Sequence, residues 1–356
     1  MRLLNVLLLV VLTVGCSSEN ENPGTENPTP ETTYFPPINS DVWETIAITD
    51  LNWNTNALAE LSLFLEASNT KSFIILHQGK IAFEQYYNGH SDTAAWYWAS
   101  AGKTLTTAVT GIAQDQGLLN INNKVSDYLG TGWTSATLEQ ENLITCKNLL
   151  SMDSGLDDTL GDSVAPGNLQ YIADAGTRWA YHNVYVKLQD VVAQVSNQSW
   201  TTYFNENLRD IIGMSGAWIP VGDLSVYWSN SRSMAKFGLM ISEHGQWEDT
   251  QIVSQTFLDE ATNTSQNINE AYGYMWWLNG KSSYHLPQTQ FEFPGTLIEN
   301  APNDMYCALG KNDQKIYIVP SQDLVIIRMG DAADEDSFGL STYDNDLWEK
   351  LNAVIN

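Results

Sequence analysis

Three serines in this chain stand three residues ahead of a lysine: Ser68 before Lys71, Ser100 before Lys103 and Ser233 before Lys236. On a helix, positions i and i+3 share a face, so a lysine amine at that spacing can reach a serine hydroxyl and help remove its proton. A hydroxyl so activated is a nucleophile for acyl transfer. The spacing recurs too often to choose among the three, and their surroundings must decide. Ser68 falls in a polar turn just ahead of a strand, where a nucleophile would be solvated. Ser233 lies within a helix beside Phe237, which would leave Lys236 facing water. Ser100 opens an apolar helix, and its N–H is among the first-turn donors that lack an intrahelical acceptor, a favourable place for an oxyanion. Ala101 and Gly102 follow it and leave room for a substrate. The competing reading makes Ser100 an ordinary helix N-cap.

Tyr-x-Asn also recurs along the chain, including at Tyr86–Asn88, Tyr181–Asn183 and Tyr343–Asn345. A tyrosine beside an ammonium can exchange protons with a serine and a leaving group. Tyr86 belongs to a hairpin and Tyr343 to the C-terminal helix, whereas Tyr181 sits in a loop that feeds a helix, where function concentrates. Its alternative role is packing. Asn183 either serves the site or caps the helix beginning near Val184, and His182 reads as structural.

The elements that must position these residues follow from pattern. Residues 56–67 read as a helix, 72–77 and 81–87 as a hairpin turning at Gln78-Gly79-Lys80, and 100–116 as an apolar helix stopped by Gly117. Helical patterns recur at 143–150, 185–195, 200–212 and 231–243, strands at 314–319 and 324–329, and a closing amphipathic helix at 340–355. Strands at both ends with helices between predict an α+β fold, an antiparallel sheet flanked by helices with an inserted helical part. The sheet part covers roughly 38–98 and 250–356, and the helical part roughly 99–249. Trp96, Trp98, Trp179, Trp276 and Trp277 belong either to the core or to an apolar cleft.

The N-terminus has its own logic. Met1-Arg2, an apolar run from Leu3 to Val14 and Gly15-Cys16 resemble a lipoprotein signal, with 1–15 removed and Cys16 lipidated. The run is short for a membrane span. Residues 16–37 carry no apolar side chain before Tyr34 and read as a disordered tether, with the folded domain at 38–356. This predicts a lipid-anchored protein of a Gram-negative cell envelope, touching the membrane through Cys16 only. Cys146 and Cys307 then read as two buried thiols. With 16 basic against 42 acidic residues, nucleic acid is an improbable partner. The scattered histidines give no metal-binding spacing, no Gly-x-Ser-x-Gly elbow occurs, and no phosphate loop is present. No metal and no cofactor are predicted.

The order of these pieces resembles the serine β-lactamase and penicillin-binding-protein superfamily, in its class C-like and esterase or 6-aminohexanoate-dimer hydrolase-like branch. The resembling text runs from about Trp43 to the C-terminus. It includes Gly79-Lys80, Ser100-Ala-Gly-Lys103, Ile144–Leu150, Ser154-Gly155-Leu156, Gly176–Asn183, Ile212-Gly-Met214, Tyr272-Gly-Tyr274 and Ile316–Pro320. The resemblance implies a β-lactamase-like fold, with Ser100 acylated, Lys103 its partner, Tyr181 the general base and acid, and Asn183 orienting Lys103 and binding substrate. It also aligns Ala308-Leu309-Gly310 with the Lys-Thr-Gly or His-x-Gly of such enzymes. Gly310 would keep the backbone close to substrate, and the Lys311 N–H would be the second oxyanion donor, but the cation that holds a substrate carboxylate is gone. That loss favours hydrolysis of small-molecule or peptide esters and amides over β-lactamase or D-Ala-D-Ala carboxypeptidase activity. A surface binding protein that has lost turnover is the alternative from another class.

Overall fold

The computed structural model describes residues 33–40, 42–334 and 339–356. The leader, Cys16 and the tether as far as residue 32 lie outside the described residues. Tyr34 and Phe35, assigned by composition to the end of the tether, belong to the folded body. The Tyr34 N–H donates to the Gln78 carbonyl at 3.0 Å, and Phe35 packs edge-on to Trp247 at 5.2 Å between ring centres.

The fold is organised around a six-stranded sheet: β1 (Thr70–His77), β2 (Lys80–Tyr86), β3 (Trp277–Leu278), β4 (Tyr306–Gly310), β5 (Gln314–Val319) and β6 (Leu324–Gly330). Their order is β2-β1-β6-β5-β4-β3, with every neighbour antiparallel. Both chain ends therefore build one sheet, as the pattern predicts. The β1–β2 turn places Gln78 and Gly79 at positive φ, +48° and +79°. A Cβ on Gly79 would lie 1.8 Å from the Tyr34 carbonyl oxygen, so glycine is required there for space as well as for conformation.

Strands β5 and β6 are buried along their whole length, which explains their near-continuous apolar runs. Layers of helix cover both faces. Helix α1 (Leu58–Ala67) and the terminal α5 (Thr342–Ile355) take one face, where Tyr317 meets Trp348 edge-on at 5.6 Å. Ile316, one residue away and so on the other side of the pleat, faces α4 (Ser231–Ser242). There Gly238 lets the helix close on the sheet, since an added Cβ would lie 2.6 Å from Val325.

Between these ends lies the helical part, built around α2 (Lys103–Asp115). All of α2 from Lys103 to Ala113 is buried, so it is a central helix rather than an amphipathic surface one. Its threonines stay satisfied: Thr107 donates to the Tyr274 carbonyl, and Thr106 accepts from Gln189 on α3 (Val186–Ser196). The middle of the chain also holds an unpredicted hairpin, Ala217–Val221 with Leu224–Ser229, joined at its edge by Trp96–Tyr97. The Gly222-Asp223 turn, with Gly222 at φ +61°, is the local signal for it. The helix expected over 200–212 is α-helical at Trp200–Phe204 and then widens into a π turn at Asn205–Arg209. Cys146 and Cys307 are free, buried thiols.

Candidate active site

Ser100 stands on a 3-10 turn, Ala99–Gly102, that runs directly into α2. The residue before it, Ala99, has φ +48°, a conformation that a side-chain-bearing residue holds only when its surroundings enforce it. Two anchors do so. Trp98 is fully buried; its backbone N–H donates to the Tyr227 carbonyl at 2.9 Å and its indole to Ser229 Oγ at 2.8 Å. From the other side β4 presses on the turn, where a Cβ on Gly310 would lie 2.5 Å from the Trp98 carbonyl oxygen and 3.0 Å from the Ala101 nitrogen. The close approach that Gly310 permits is thus to the serine's own turn. The neighbours Leu309 and Lys311 line the cavity instead.

Lys103 occupies the next helical turn and is 4% exposed. Its Nζ donates to Ser100 Oγ at 2.7 Å. The same ammonium lies 4.9 Å from the ring centres of both Tyr181 and Tyr185, so two aromatic faces compensate for part of its lost water. Burial pushes the Tyr185 hydroxyl pKa up, with Lys103 opposing that shift. Tyr181 is held by its own loop: Ala180 N–H donates to the Met152 carbonyl at 2.8 Å, and the neighbouring Trp179 indole to the Leu286 carbonyl at 2.9 Å. Its ring stacks on Trp277 at 5.8 Å. The segment before Tyr181 explains Ser154-Gly155-Leu156, because a Cβ on Gly155 would lie 2.1 Å from the Ala173 carbonyl oxygen. That motif shapes the loop under the site.

Ser100, Lys103 and Tyr181 share one cavity of about 440 Å³, within the range of small-molecule sites. Trp277, Leu286 and Leu309 give it apolar walls, and Asp162, Asn183 and Lys311 add polar groups. The Asn183 amide donates to Asp162 Oδ1 at 2.9 Å, which ties it to the cavity wall, whereas the hydrogen bond from Lys103 goes to Ser100. His182, not Asn183, caps the following 3-10 turn: its Nδ1 accepts from the Val184 N–H at 3.3 Å. Burial pulls the His182 pKa down, against the pull of Asp158, and the ring's capping role agrees with the structural reading. Of the five tryptophans, Trp277 lines the cavity, while Trp98, Trp179 and Trp276 are core and Trp96 is partly buried.

The other two Ser-x-x-Lys pairs differ in detail from their expected settings. Ser68 is buried and caps α1 through the Phe64 carbonyl at 2.8 Å, and Lys71 reaches Asp331. Lys236 does not face water: it is 7% exposed and donates to the Gly213 carbonyl at 2.7 Å. The spacing argument passed over Tyr185. It also passed over the carboxylates Asp158 and Asp162 on the cavity wall, which stand in a polar loop with no pattern to mark them. Among the described residues no cluster of metal-ligating side chains occurs.

Comparison with known proteins agrees with this architecture. The Beta-lactamase family model matches residues 67–346. Comparison with curated sequences gives no match. Among solved structures, a Bacillus anthracis protein carrying the name 6-aminohexanoate-dimer hydrolase superposes with a TM-score of 0.67 at 16% identity, over 91% of either chain. A Mycobacterium bovis β-lactamase gives 0.60 at 17% identity, over 83% of this chain and 99% of its own. EstCE1, a hydrolase with promiscuous acyltransferase activity, gives 0.63 at 14% identity, over 87% and 99%. At these identities the superpositions speak for the fold alone. With the family match spanning most of the molecule, and the sheet and central helix arranged as described, this chain belongs to the β-lactamase family of serine hydrolase folds.

Proposed function

We propose that the protein hydrolyses ester or amide bonds through an acyl-enzyme on Ser100. The observation that carries this reading is the 2.7 Å contact from buried Lys103 to Ser100 Oγ at the floor of an open cavity. Ser100 Oγ attacks the substrate carbonyl carbon while its proton passes to the Lys103–Tyr181 pair. The carbonyl oxygen becomes an oxyanion, held by the backbone N–H groups of Ser100 and Lys311. As the tetrahedral intermediate collapses, the scissile bond breaks and Tyr181 returns a proton to the departing oxygen or nitrogen. A water molecule then attacks the acyl-enzyme, gives its proton back through the same pair and releases the acid. A binding protein without turnover fits less well, since it has no need of a lysine buried against a serine.

The acyl-binding wall favours neutral substrates over anionic ones. The strand position that carries a cation in β-lactamases is Ala308 here; Lys311 lines the cavity together with Asp162 and with Asp158, which is paired with Arg178 at 2.8 Å, in a chain with net charge −26. Esters and amides therefore rank ahead of β-lactams, whose carboxylate needs a positive partner. In the cell, we propose, the enzyme is held at the envelope by lipid on Cys16. Turnover of p-nitrophenyl esters beside a chromogenic cephalosporin tests the substrate reading. Ester hydrolysis that disappears in Ser100→Ala, with little cephalosporin turnover, is expected; faster cephalosporin turnover would overturn it in favour of a β-lactamase.

A further inference from the structure

Behind the cavity lies a group of charges that the scheme above leaves unused. Arg328 on β6, Lys315 on β5, Asp313 in the β4–β5 turn and Asp344 on α5 are all fully buried. Lys315 Nζ lies 2.8 Å from Asp344 Oδ2 and 3.0 Å from Asp313 Oδ1, and it also donates to the Gly339 carbonyl. The Asp313 carboxylate accepts in addition from the Ala333 N–H at 3.0 Å and from the Ser341 hydroxyl at 3.1 Å. Arg328 Nη1 donates to the Asp313 and Asn312 carbonyls, at 2.8 and 3.3 Å. Two cations balance two anions. Burial pulls the Lys315 pKa down, but Asp344 and Asp313 outweigh it and raise the pKa, so the ammonium persists.

Stability is a poor reason to keep such a cluster, because apolar replacements of buried ion pairs are often neutral or stabilising. Direction is a better one. Many of its bonds end in one of two places, the Asn312–Asp313 turn or the flanking residues Ala333, Gly339 and Ser341. Those segments bring Lys311 and Gly339–Leu340 to the cavity wall. Asn312 and Asp313 hold φ +60° and +59°, the left-handed conformation of a tight hairpin turn that Asn and Asp tolerate, which directs the chain from β4 into β5. The two segments also fit closely together, for a Cβ on Gly339 would lie 3.1 Å from the Leu309 carbonyl carbon and 3.2 Å from the Gly310 nitrogen. A shift in one must move the other.

We propose that Asp313 is a positioning residue: bonded to Lys315 and clamped through its carbonyl by Arg328, it fixes the Lys311 N–H as an oxyanion donor and seats the Gly339–Leu340 wall. The inference rests on the preceding assignment of Ser100 as nucleophile. The test compares the full folded domain with Asp313→Asn in ester hydrolysis and in inhibition by phenylboronic acid, which becomes tetrahedral and anionic when it takes the serine oxygen. Asp313→Asn is expected to lower kcat by about tenfold to a hundredfold with little change in KM. The boronate inhibition constant rises in parallel. A purely structural role would lower thermal stability without this parallel. Should Asp313→Asn not fold, Ser341→Ala, which removes one bond to the same carboxylate, is expected to give a smaller loss in both readouts together. A folded Asp313→Asn, or failing that a Ser341→Ala, with parental kcat and boronate affinity overturns this inference alone. A parent protein that neither turns over esters nor binds boronate overturns the hydrolase reading and this inference with it.

Discussion

Two Ser-x-x-Lys pairs in this molecule begin helices, and both lysines are buried, yet their chemistry differs. At α2, Lys103 donates to Ser100 Oγ at 2.7 Å, beside a cavity of about 440 Å³. At α4, Lys236 donates instead to the Gly213 carbonyl, and Ser233 Oγ accepts the Ser215 N–H at 2.9 Å, beside a cavity of about 110 Å³. The second pair is spent on closing a loop: Lys236 holds the part-buried Gly213 carbonyl and Ser233 the Ser215 N–H, so both side chains are committed to backbone. The first pair is turned on itself and left open to a ligand. What separates a site from a structural lock is where the polar groups are directed, which spacing does not determine.

The largest effects should come from breaking the two pairs in parallel. Ser100→Ala is expected to cost about 10⁴-fold or more in kcat/KM for an ester. Ser233→Ala is expected to leave turnover at the parental level and to lower unfolding free energy by about 1 kcal/mol, read by denaturant melts. Replacing the lysines sharpens the contrast. Lys103→Met should lower kcat by about 10³-fold through loss of proton transfer. Lys236→Met should keep kcat and lose about 1 kcal/mol of stability, because it removes the hydrogen bond to the part-buried Gly213 carbonyl.

The loop beneath the first pair adds a pH signature. Asp153 is 4% exposed, and burial raises its pKa from 3.8 to about 6 against the Asn148 amide that bonds it. Between those values the folded state holds the proton and the unfolded state has released it. Stability should therefore fall as pH rises from about 4 to about 6 and level off above, a loss of about 3 kcal/mol if the full shift is realised. Asp153→Asn is expected to remove that slope and raise stability at pH 7.5, checked by urea midpoints across pH. The smallest effect concerns the aromatic faces over Lys103. Tyr185→Phe keeps the ring and should keep activity, whereas Tyr185→Leu is expected to lose about tenfold in kcat/KM. Equal activity in both would show that the ring face over Lys103 contributes nothing.

Much of the fold was legible because its signals are local. The Gln78-Gly79 turn, the apolar runs of β5 and β6 and the buried helix behind Ser100 are each written in adjacent residues. The Ala217–Ser229 hairpin was missed, since its Gly222-Asp223 turn stands among segments of helical pattern. The placement of Lys103 against Ser100 follows from i and i+3 spacing, and Tyr181 from its loop setting. The destinations of Asn183 and Lys236 were not legible, because each depends on a residue about 20 positions away, Asp162 and Gly213. The buried cluster left a trace that spacing arguments ignore: Lys315 and Arg328 interrupt otherwise apolar strands, where a charge needs a partner.

The central claim is that Ser100, and not Ser233, is the nucleophile. Its most direct test is intact-mass measurement of residues 33–356 after treatment with a fluorophosphonate, in the parent, Ser100→Ala and Ser233→Ala proteins. The account predicts one adduct on the parent and on Ser233→Ala, and none on Ser100→Ala. An adduct that survives Ser100→Ala, or its absence from a folded parent that also fails to hydrolyse esters, would contradict it.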